Sequence, residues 1–176
     1  MCPRKISPNY TNYAFLDIIK CMQGDIVIEP IREQNFGDLA LLLTCDEVLI
    51  QSLVSGKRSR TATASELFED IQKWQTDNNA NSYVIKLGNK SIGLISLSHQ
   101  KNTQVRVGYW LASSEWNKGY TTEAFVQIIE IAKQRGFTKL SASIDPFNIA
   151  SKRIWDNLGA HFSVQDDGLI ASLRIQ

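Results

Sequence analysis

The residues most able to do chemistry lie in the stretch from 108 to 124, which reads GYWLASSEWNKGYTTEA. A strand is predicted to end near Leu111, a polar turn follows, and a helix begins at Thr122. Backbone N–H groups at a helix start lack acceptors within the helix and have the helix dipole behind them, so they suit a phosphate or pyrophosphate. Gly119 removes a side chain where an anion must approach the backbone. The alternative is a plain helix start that Thr121 or Thr122 caps.

An anion bound here would be held by this local feature and not by the charge of the whole chain. The sequence has 19 basic and 18 acidic residues, for a net charge of +1. This balance lacks the electrostatic footprint of a nucleic-acid-binding protein, so we expect no nucleic-acid partner. The glycine spacing fits neither a P-loop nor the GxGxxG dinucleotide motif. A cradle here would therefore consist mainly of oriented backbone N–H groups.

A second polar stretch, at 145–159, follows the next predicted strand. Pro146 ends that strand, and Asn148 is of a type that caps helix N-termini. Ser151, three residues later, lies on the same helix face as Asn148. The sequence therefore predicts another strand end followed by a helix start with polar side chains.

The elements that must position these two stretches alternate along the chain. The sequence predicts strands over 25–30, 82–87, 91–98, 105–111, 139–144, 161–164 and 169–175. It predicts helices over 122–135 and 149–158, and one from 33 to about 43 that runs into an apolar stretch through Leu53. A further helix opens at the capping box formed by Thr63 and Glu66. This order predicts an α/β fold with a mixed sheet.

Length and composition predict one domain, at 25–176, behind an N-terminal extension at 1–24. The chain has 176 residues, 43% of them hydrophobic, which is enough for one buried core. Apolar residues between Tyr10 and Met22 predict a short helix in the extension, through which a homodimer could form. Three widely spaced cysteines with no CxxC pair indicate neither a disulfide framework nor a zinc site, and favour a cytoplasmic protein. No segment approaches the ~20 apolar residues of a membrane span, so no membrane contact is expected.

The first stretch resembles the pyrophosphate loop of the GNAT superfamily of acetyl-CoA-dependent N-acetyltransferases. That loop reads Gln/Arg-x-x-Gly-x-Gly/Ala, and Trp116, Gly119 and Thr121 occupy its three defined positions. The run WNKGYTTEA at 116–124 is similar to the WGKGYATEA of the RimJ/RimL-like branch, and departs from it at Asn117 and Thr121.

The second stretch carries the same resemblance. Asn148 and Ser151, followed by the LG pair at 158–159, are similar to the branch's Asn-x-x-Ser…Leu-Gly-Phe motif, with Ala160 in place of the phenylalanine. The GYWL run at 108–111 matches the branch's fourth strand. The similarity in element order covers about residues 25–175.

The resemblance implies a sheet whose fourth and fifth strands splay apart, with acetyl-CoA bound between them. Pantetheine would pair with the end of strand four, at Trp110, Leu111 and Ala112. Asn148 and Ser151 would contact the cofactor, and Lys152 would lie near its phosphates or be a solvated helix charge. The pyrophosphate would lie on the backbone N–H groups of Asn117, Lys118, Gly119, Tyr120, Thr121 and Thr122.

The resemblance also implies direct attack of a neutral amine on the thioester in a ternary complex, with no acyl-enzyme. None of the three cysteines lies in either motif, so none is expected as a nucleophile. Many superfamily members place an acidic tyrosine where this chain has Trp155. The resemblance to the RimJ/RimL-like branch implies instead that Ser151 hydrogen-bonds the leaving sulfur as the catalytic group, and the alternative is that it only contacts the cofactor.

The sequence does not identify the general base that would take the proton from the amine. The branch often has a glutamate two residues before the Gly-Tyr pair of strand four, where this chain has Arg106. Asp145, at the end of strand five, is one candidate base, and His99 and Glu47 are others. A water chain to bulk solvent would need none of them.

The sequence therefore predicts an acetyl-CoA-dependent N-acetyltransferase acting on a primary amine, either a protein N-terminus or a small amine. The runner-up is a weakly active or inactive acyl-CoA-binding or regulatory module on the same fold, motivated by the missing tyrosine and glutamate. A third hypothesis, an unrelated anion-binding α/β domain, would lack the splay between strands four and five. The acceptor site is expected among the first helices, the loop at 56–63 and the last hairpin.

Overall fold

The computed structural model describes residues 26–53, 63–165 and 168–175. The predicted extension at 1–24, and all of the loop at 56–63 except Thr63, lie outside these residues. The strands are β1 (Ile26–Pro30), β2 (Ala80–Leu87), β3 (Lys90–His99), β4 (Gln104–Leu111), β5 (Lys139–Ile144), β6 (His161–Gln165) and β7 (Gly168–Arg174). The helices are α1 (Phe36–Cys45), α2 (Glu47–Ser52), α3 (Ala64–Asp77), α4 (Tyr120–Gln134) and α5 (Ile149–Asn157). Within the described ranges, no helix has both the length and the apolar character that crossing a membrane requires.

The strands form one open sheet in the order β1-β2-β3-β4-β5-β7-β6. Neighbouring strands of the described sheet are antiparallel except β4 and β5, which are parallel and joined by the crossover helix α4. Pairing between β4 and β5 covers 104–106 against 139–141 and then stops. We call the opening between 107–111 and 142–144 the gap. The predicted mixed, mostly antiparallel sheet with splayed fourth and fifth strands is confirmed.

Two buried layers of side chains cover opposite faces of the sheet. Helices α4 and α5 pack on one face, where Phe125 and Trp155 are fully buried. Helices α1, α2 and α3 contribute to the layer on the other face, around Leu39. Because side chains alternate along a strand, Tyr109 packs in the first layer and Trp110 in the second. The two aromatic residues near the end of β4 therefore point to opposite faces.

The helix predicted from residue 33 towards Leu53 is interrupted. A 3-10 turn at Glu33–Asn35 leads into α1, and Asp46 separates α1 from α2. Asp46 has a non-helical ψ of 85°, and its carboxylate accepts a hydrogen bond from the Leu49 N–H at 3.0 Å. It therefore caps α2. The apolar pattern continues across this break, which is why the sequence indicates one continuous segment.

A side chain of α4 holds the edge strand β1. Gln127 Nε2 donates to Ile26 O at 2.9 Å, and Gln127 Oε1 accepts from the Ile28 N–H at 3.0 Å. Since β2 pairs with the other side of β1, the amide satisfies edge groups that a further strand would otherwise take. This contact fixes the crossover helix, which begins beside the gap, to the far edge of the sheet.

We expect Gln127→Leu to lower the free energy of unfolding by about 2 kcal/mol, because partly buried backbone groups of β1 lose their partners. Urea unfolding measures the change. Gln134→Leu, at the exposed end of the same helix, is the matched control and should change stability by less than about 0.5 kcal/mol. Equal losses in both variants would show that the Gln127 amide does not hold the edge strand.

Candidate functional site

The gap exposes backbone groups of β4 that β5 does not pair. Ala112 donates its N–H to Ile92 O on β3 at 2.8 Å. Because successive residues of a strand turn their N–H and C=O groups to opposite sides, Trp110 also faces β3, while Tyr109 and Leu111 face the gap. Three residues were predicted to contact the cofactor through their backbone, and only Leu111 turns its backbone groups to the gap. Trp110 and Ala112 face β3. Tyr109, which was not predicted, also turns its backbone groups to the gap.

The carbonyl of Leu111 has a partner within the chain. The Trp116 indole Nε1 donates to Leu111 O at 2.8 Å. Trp116 follows a 3-10 turn at Ser113–Glu115, so its side chain folds back onto the end of β4. Trp116, at the first position of the predicted loop motif, thus anchors the loop to the strand.

Helix α4 begins at Tyr120, earlier than the predicted start at Thr122. Its N-cap is Gly119, with φ of 86°, and no side chain caps this described helix start, so the alternative of a cap by Thr121 or Thr122 is wrong. The Glu123 N–H donates to Gly119 O at 3.1 Å, which makes the first helical hydrogen bond. The N–H groups of Tyr120, Thr121 and Thr122 precede that bond and point out of the helix end.

The loop before α4 leaves room above its backbone. Asn117 and Gly119 both have positive φ, of 61° and 86°, a conformation that asparagine and glycine tolerate best. A Cβ placed on Gly119 would have no described atom within 4 Å. Outward N–H groups below an open space form a cradle that suits a phosphate. We call residues 117–122 the cradle.

The charged side chain within the cradle is already paired. Lys118 Nζ lies 2.9 Å from Glu115 Oε2. The hydrogen bond and charge of Lys118 outweigh partial burial and hold the pKa of Glu115 below its usual value. Lys152 is exposed in the first turn of α5. The cradle therefore offers an anion mainly backbone N–H groups as hydrogen-bond donors.

Two polar residues predicted at the start of α5 shape its backbone. Asn148 Oδ1 accepts from the Ser151 N–H at 2.9 Å, which confirms the predicted cap. Asp145 Oδ1 accepts from the Phe147 N–H at 2.8 Å and braces the turn after β5. The predicted base Asp145 thus lies at the open end of the gap, with one carboxylate oxygen bonded to the turn.

The structure places His99 away from the gap. It is the last residue of β3 and pairs with Val105, at the closed end of the β4–β5 pairing. Its ring lies 3.2 Å from Asn79 Nδ2 and 2.9 Å from Asn102 O, so it joins two turns. The structure therefore does not bring this candidate base to the site.

The other charged positions considered for base chemistry are exposed. Glu47 lies in the first turn of α2. Arg106 pairs with Ser141 at the level where β4 and β5 separate. A cation thus stands where the related branch often has a glutamate.

Asp46 is the neighbour of Glu47, one of the candidate bases, and it is the Asp46 carboxylate that reaches the end of β4. It accepts from both the N–H and the hydroxyl of Ser113, each at 2.7 Å. Burial favours the neutral form, but the hydrogen bonds from Leu49 and Ser113 outweigh it, so the pKa of Asp46 lies below its usual value. This ionised carboxylate anchors the α1–α2 junction to the loop. No local pattern indicates the contact, because its partners are 67 residues apart.

Two buried polar groups that the sequence did not indicate lie behind the gap. The Tyr109 hydroxyl from β4 and the Trp155 indole nitrogen from α5 are both buried, and neither has a hydrogen-bond partner of standard geometry among the described residues. Burial raises the pKa of Tyr109, and the neighbouring Ser151 hydroxyl and Trp155 indole oppose this rise. The Phe125 ring packs edge to face against both aromatic rings, so Tyr109 and Trp155 belong to one buried cluster. The alternation along β4 is the signal that places Tyr109 on the α5 face.

Comparison with known proteins gives a family match over most of the chain. The sequence profile of the acetyltransferase (GNAT) domain matches residues 25–161. Protein YkkB of Bacillus subtilis (strain 168), which is named as uncharacterized, is 33% identical over 72 residues, or 40% of this chain and 42% of that protein. The uncharacterized N-acetyltransferase p20 of Bacillus licheniformis is 28% identical over 116 residues, or 61% of each. The chain thus matches less than two thirds of the length of either relative.

A solved structure shares the fold. RimJ of Mycobacterium smegmatis, in complex with CoA-disulfide, superposes with a TM-score of 0.73 over 85% of this chain and 81% of that one. The two sequences are 14% identical, so the likeness is one of fold.

We expect Asp46→Asn to lower the free energy of unfolding at pH 7 by about 1 to 2 kcal/mol, because an ionised acceptor of several hydrogen bonds is lost. The folded-state pKa is depressed, so this stabilisation is fully present above the unfolded value of 3.8 and is lost as the pH falls through the folded pKa. The stability difference between wild type and variant should therefore shrink below about pH 4.

Urea titrations at neutral pH and at about pH 2 to 3 measure this difference. Glu47→Gln removes the adjacent exposed carboxylate and is the matched control, with an expected change below about 0.5 kcal/mol at neutral pH. A difference between wild type and Asp46→Asn that stays constant across the acid range would contradict an ionised anchor.

Proposed function

Since this chain belongs to the acetyltransferase (GNAT) domain family, we propose that it transfers the acetyl group of acetyl-CoA to a primary amine. The observation that carries the proposal is a backbone cradle that lies directly after the strand lining the gap. The acceptor would be a protein N-terminus or a small amine. Incubation with radiolabelled acetyl-CoA and a panel of such amines tests transfer, and failure to bind acetyl-CoA in calorimetry would remove the proposal.

The cradle fits a pyrophosphate. The N–H groups at the start of α4 precede its first internal hydrogen bond, and the space above Gly119 is open among the described residues. Phosphate oxygens accept several such donors at once, and the helix dipole adds to the attraction. Because the chain carries a net charge of only +1, these oriented donors would supply most of the attraction. Lys152 would add one charge near the phosphates.

The exposed backbone of β4 fits the amides of pantetheine. An extended ligand can add to a sheet edge as a further strand, through main-chain hydrogen bonds. Leu111 and Tyr109 turn their backbone groups to the gap, and Trp116 already occupies the Leu111 carbonyl. The Leu111 N–H and the Tyr109 backbone are therefore the groups that we assign to pantetheine. RimJ of Mycobacterium smegmatis, which shares the fold, was solved in complex with CoA-disulfide.

The reaction itself needs few protein groups. A neutral amine attacks the thioester carbonyl, the C–N bond forms, and the C–S bond breaks with its electron pair on sulfur. The nitrogen releases one proton and the sulfur takes up one, so the step balances without an acyl-enzyme. Ser151, which follows the Asn148 cap, would donate a hydrogen bond to the leaving sulfur. A hydrogen bond to an anion is about twice as strong as a neutral one.

The proton from the amine leaves by one of two routes. Asp145 is the candidate carboxylate at the open end of the gap, although its Oδ1 braces the turn through the Phe147 N–H. A water chain to bulk solvent is the alternative. Arg106 takes the position where the branch often has a glutamate, so we assign no base to β4.

The second candidate function is an acyl-CoA-binding or regulatory module on the same fold. It is favoured by Trp155, which replaces the acidic tyrosine of many superfamily members, and by Arg106 in place of the glutamate. Acetyl-CoA binding without turnover on any amine would favour this module over the enzyme. A homodimer formed through the extension at 1–24 and a cytoplasmic location stay predictions.

We expect Gly119→Glu to weaken acetyl-CoA binding at least about 100-fold, which is about 2.7 kcal/mol. The side chain would fill the cradle and repel the pyrophosphate. Calorimetry measures the affinity. Gly136→Glu is a matched control, because Gly136 lies past the other end of α4 with a similar φ of 79° and similarly open space. Both substitutions strain a left-handed residue, but only the first should change affinity, and an equal loss in both would refute the cradle.

We expect Ser151→Ala to lower kcat about 10-fold to 100-fold while KM for acetyl-CoA changes by less than about twofold. The physical reason is that the leaving sulfur loses a hydrogen bond that it needs most in the transition state. Steady-state kinetics on the best amine of the panel measure both constants. Ser163→Ala, an exposed serine on β6, is the control. A rise in KM without a fall in kcat would reassign Ser151 to cofactor contact.

A further inference from the structure

We propose that the sheet face that α1, α2 and α3 leave uncovered binds an acidic polypeptide N-terminus as the acetyl acceptor, and that Arg106 selects this acceptor. The inference rests on the proposed acetyl transfer and narrows its acceptor, which was either a protein N-terminus or a small amine. Arg106 is then a specificity-determining residue, because it binds an acidic side chain of the acceptor and takes no part in the making or breaking of bonds.

The layer around α1, α2 and α3 covers only part of its face of the sheet. Its strand residues are Val84 on β2, Leu94 on β3 and Trp110 on β4, and it includes no described residue of β5, β6 or β7. The first part of β4 and these three strands therefore carry no helix of this layer, within the described ranges. We give the name open face to the side chains that point to this side from 104–108, 139–143, 161–165 and 168–174.

Three cationic side chains point to the open face, those of Arg106, Lys139 and Arg174. Each alternates along its strand with residues of the first layer, as Arg106 does with Val107 and Lys139 with Leu140. None of the strands β4, β5, β6 and β7 contains an acidic residue. Among the described residues, no ion pair involves any of the three cations. The open face is therefore locally cationic, although the chain as a whole has a net charge of only +1.

The register of the sheet sets the spacing of these cations. Arg106 pairs with Ser141 on β5, and Lys139, two residues before Ser141, pairs with Arg174 on β7. With strands about 4.8 Å apart and about 3.3 Å per residue along a strand, Lys139 and Arg174 lie about 8 and 12 Å from Arg106 between Cα atoms. An extended peptide needs three or four residues to cover this span, because it has the same rise per residue. The spacing therefore fits a polypeptide segment better than a small amine with one acidic group.

The acceptor amine would enter the gap from the open face. Behind the gap, the first layer is filled by the fully buried rings of Phe125 and Trp155. On the open face, the residues beside the gap are Gly108, which has no side chain, and Ser143, and both are exposed. Pantetheine that runs from the cradle along β4 would bring the thioester towards the closed end of the gap, where Arg106 lies. The attacking amine and the Arg106 guanidinium would then face the same segment of acceptor.

The chemistry of the guanidinium explains the choice of an acidic acceptor. Arg106 is always charged, and its planar donors can bond both oxygens of one carboxylate. Lys139 and Arg174 would attract further acidic side chains and speed the association of an acidic segment. A single exposed ion pair contributes little, so selection requires several acidic residues on one acceptor. The glutamate that the related branch often has at the position of Arg106 would repel the same acceptor.

Two matched hexapeptides with free amino termini test the selection. One has three glutamates after a first alanine, the other has glutamines in their places, and both end in an amide so that they differ only in these side chains. We expect wild type to acetylate the glutamate peptide with a kcat/KM at least about 10-fold higher, an advantage that shrinks as salt is added. β-Alanine, a small amine with one carboxylate, should be a poorer acceptor than the glutamate peptide.

Substitution of Arg106 assigns the selection to this residue. Arg106→Gln should raise KM for the glutamate peptide about 10-fold, while KM for the glutamine peptide and for acetyl-CoA stays within about twofold of wild type. Arg106→Lys keeps the charge without the planar fork and should restore part of the loss. Arg153→Gln is the matched control, because Arg153 is an exposed arginine of α5, on the opposite face of the sheet. We expect it to leave KM for the glutamate peptide within about twofold.

A binding measurement separates this inference from the proposed function. Dye-labelled, N-acetylated forms of both hexapeptides, which cannot react, are titrated with wild type and Arg106→Gln and followed by fluorescence anisotropy. Arg106-dependent binding of the glutamate form without any acetyl transfer would support the acidic-peptide site and overturn the proposed function. Transfer that does not distinguish the two hexapeptides, or that prefers β-alanine, would overturn this inference alone. Equal losses in Arg106→Gln and Arg153→Gln would also overturn it, because the effect would then be one of overall charge.

Discussion

The early end of the pairing between β4 and β5 is the constraint on which the site depends. After Arg106 and Ser141 the ladder stops, and backbone groups of β4 are left to find other partners. The Trp116 indole takes the Leu111 carbonyl, and the backbone groups of Leu111 and Tyr109 that face the gap can receive an extended ligand. The parallel direction of the two strands requires a crossover helix, and that helix begins at the open end. One interrupted ladder thus places a strand edge and a helix N-terminus side by side.

The near-neutral charge of the chain fits this arrangement. A pyrophosphate group needs several donors, and the start of α4 offers them from the backbone, with Gly119 leaving room for close approach. Two charged groups near the gap have structural tasks. Lys118 pairs with Glu115, and Asp46 binds Ser113 at the end of β4. The site therefore depends on backbone geometry, and side-chain charges brace the backbone that forms it.

The sequence predicted the features that depend on short-range chemistry. Both hydrogen bonds of the Thr63–Glu66 capping box are present, at 2.8 and 3.2 Å, because both partners lie within one turn. The strands, the splay and the Asn148 cap were predicted correctly. The start of α4 was not, because the left-handed conformation of Gly119 displaces the cap from the threonines. The break at Asp46 and the packing of Tyr109 and Trp155 around Phe125 were missed, since both depend on elements far apart in the chain.

The central claim is that backbone N–H groups of the cradle and of β4 hold acetyl-CoA. Hydrogen–deuterium exchange, with and without acetyl-CoA, tests this claim most directly, because it measures backbone N–H groups. The account predicts that acetyl-CoA slows exchange at the amides of residues 117–122 and at Tyr109 and Leu111, while the paired strands β2 and β3 are unchanged. Gly136, at the other end of α4, should also be unchanged. Protection that spares residues 117–122, although acetyl-CoA is bound, would contradict the account.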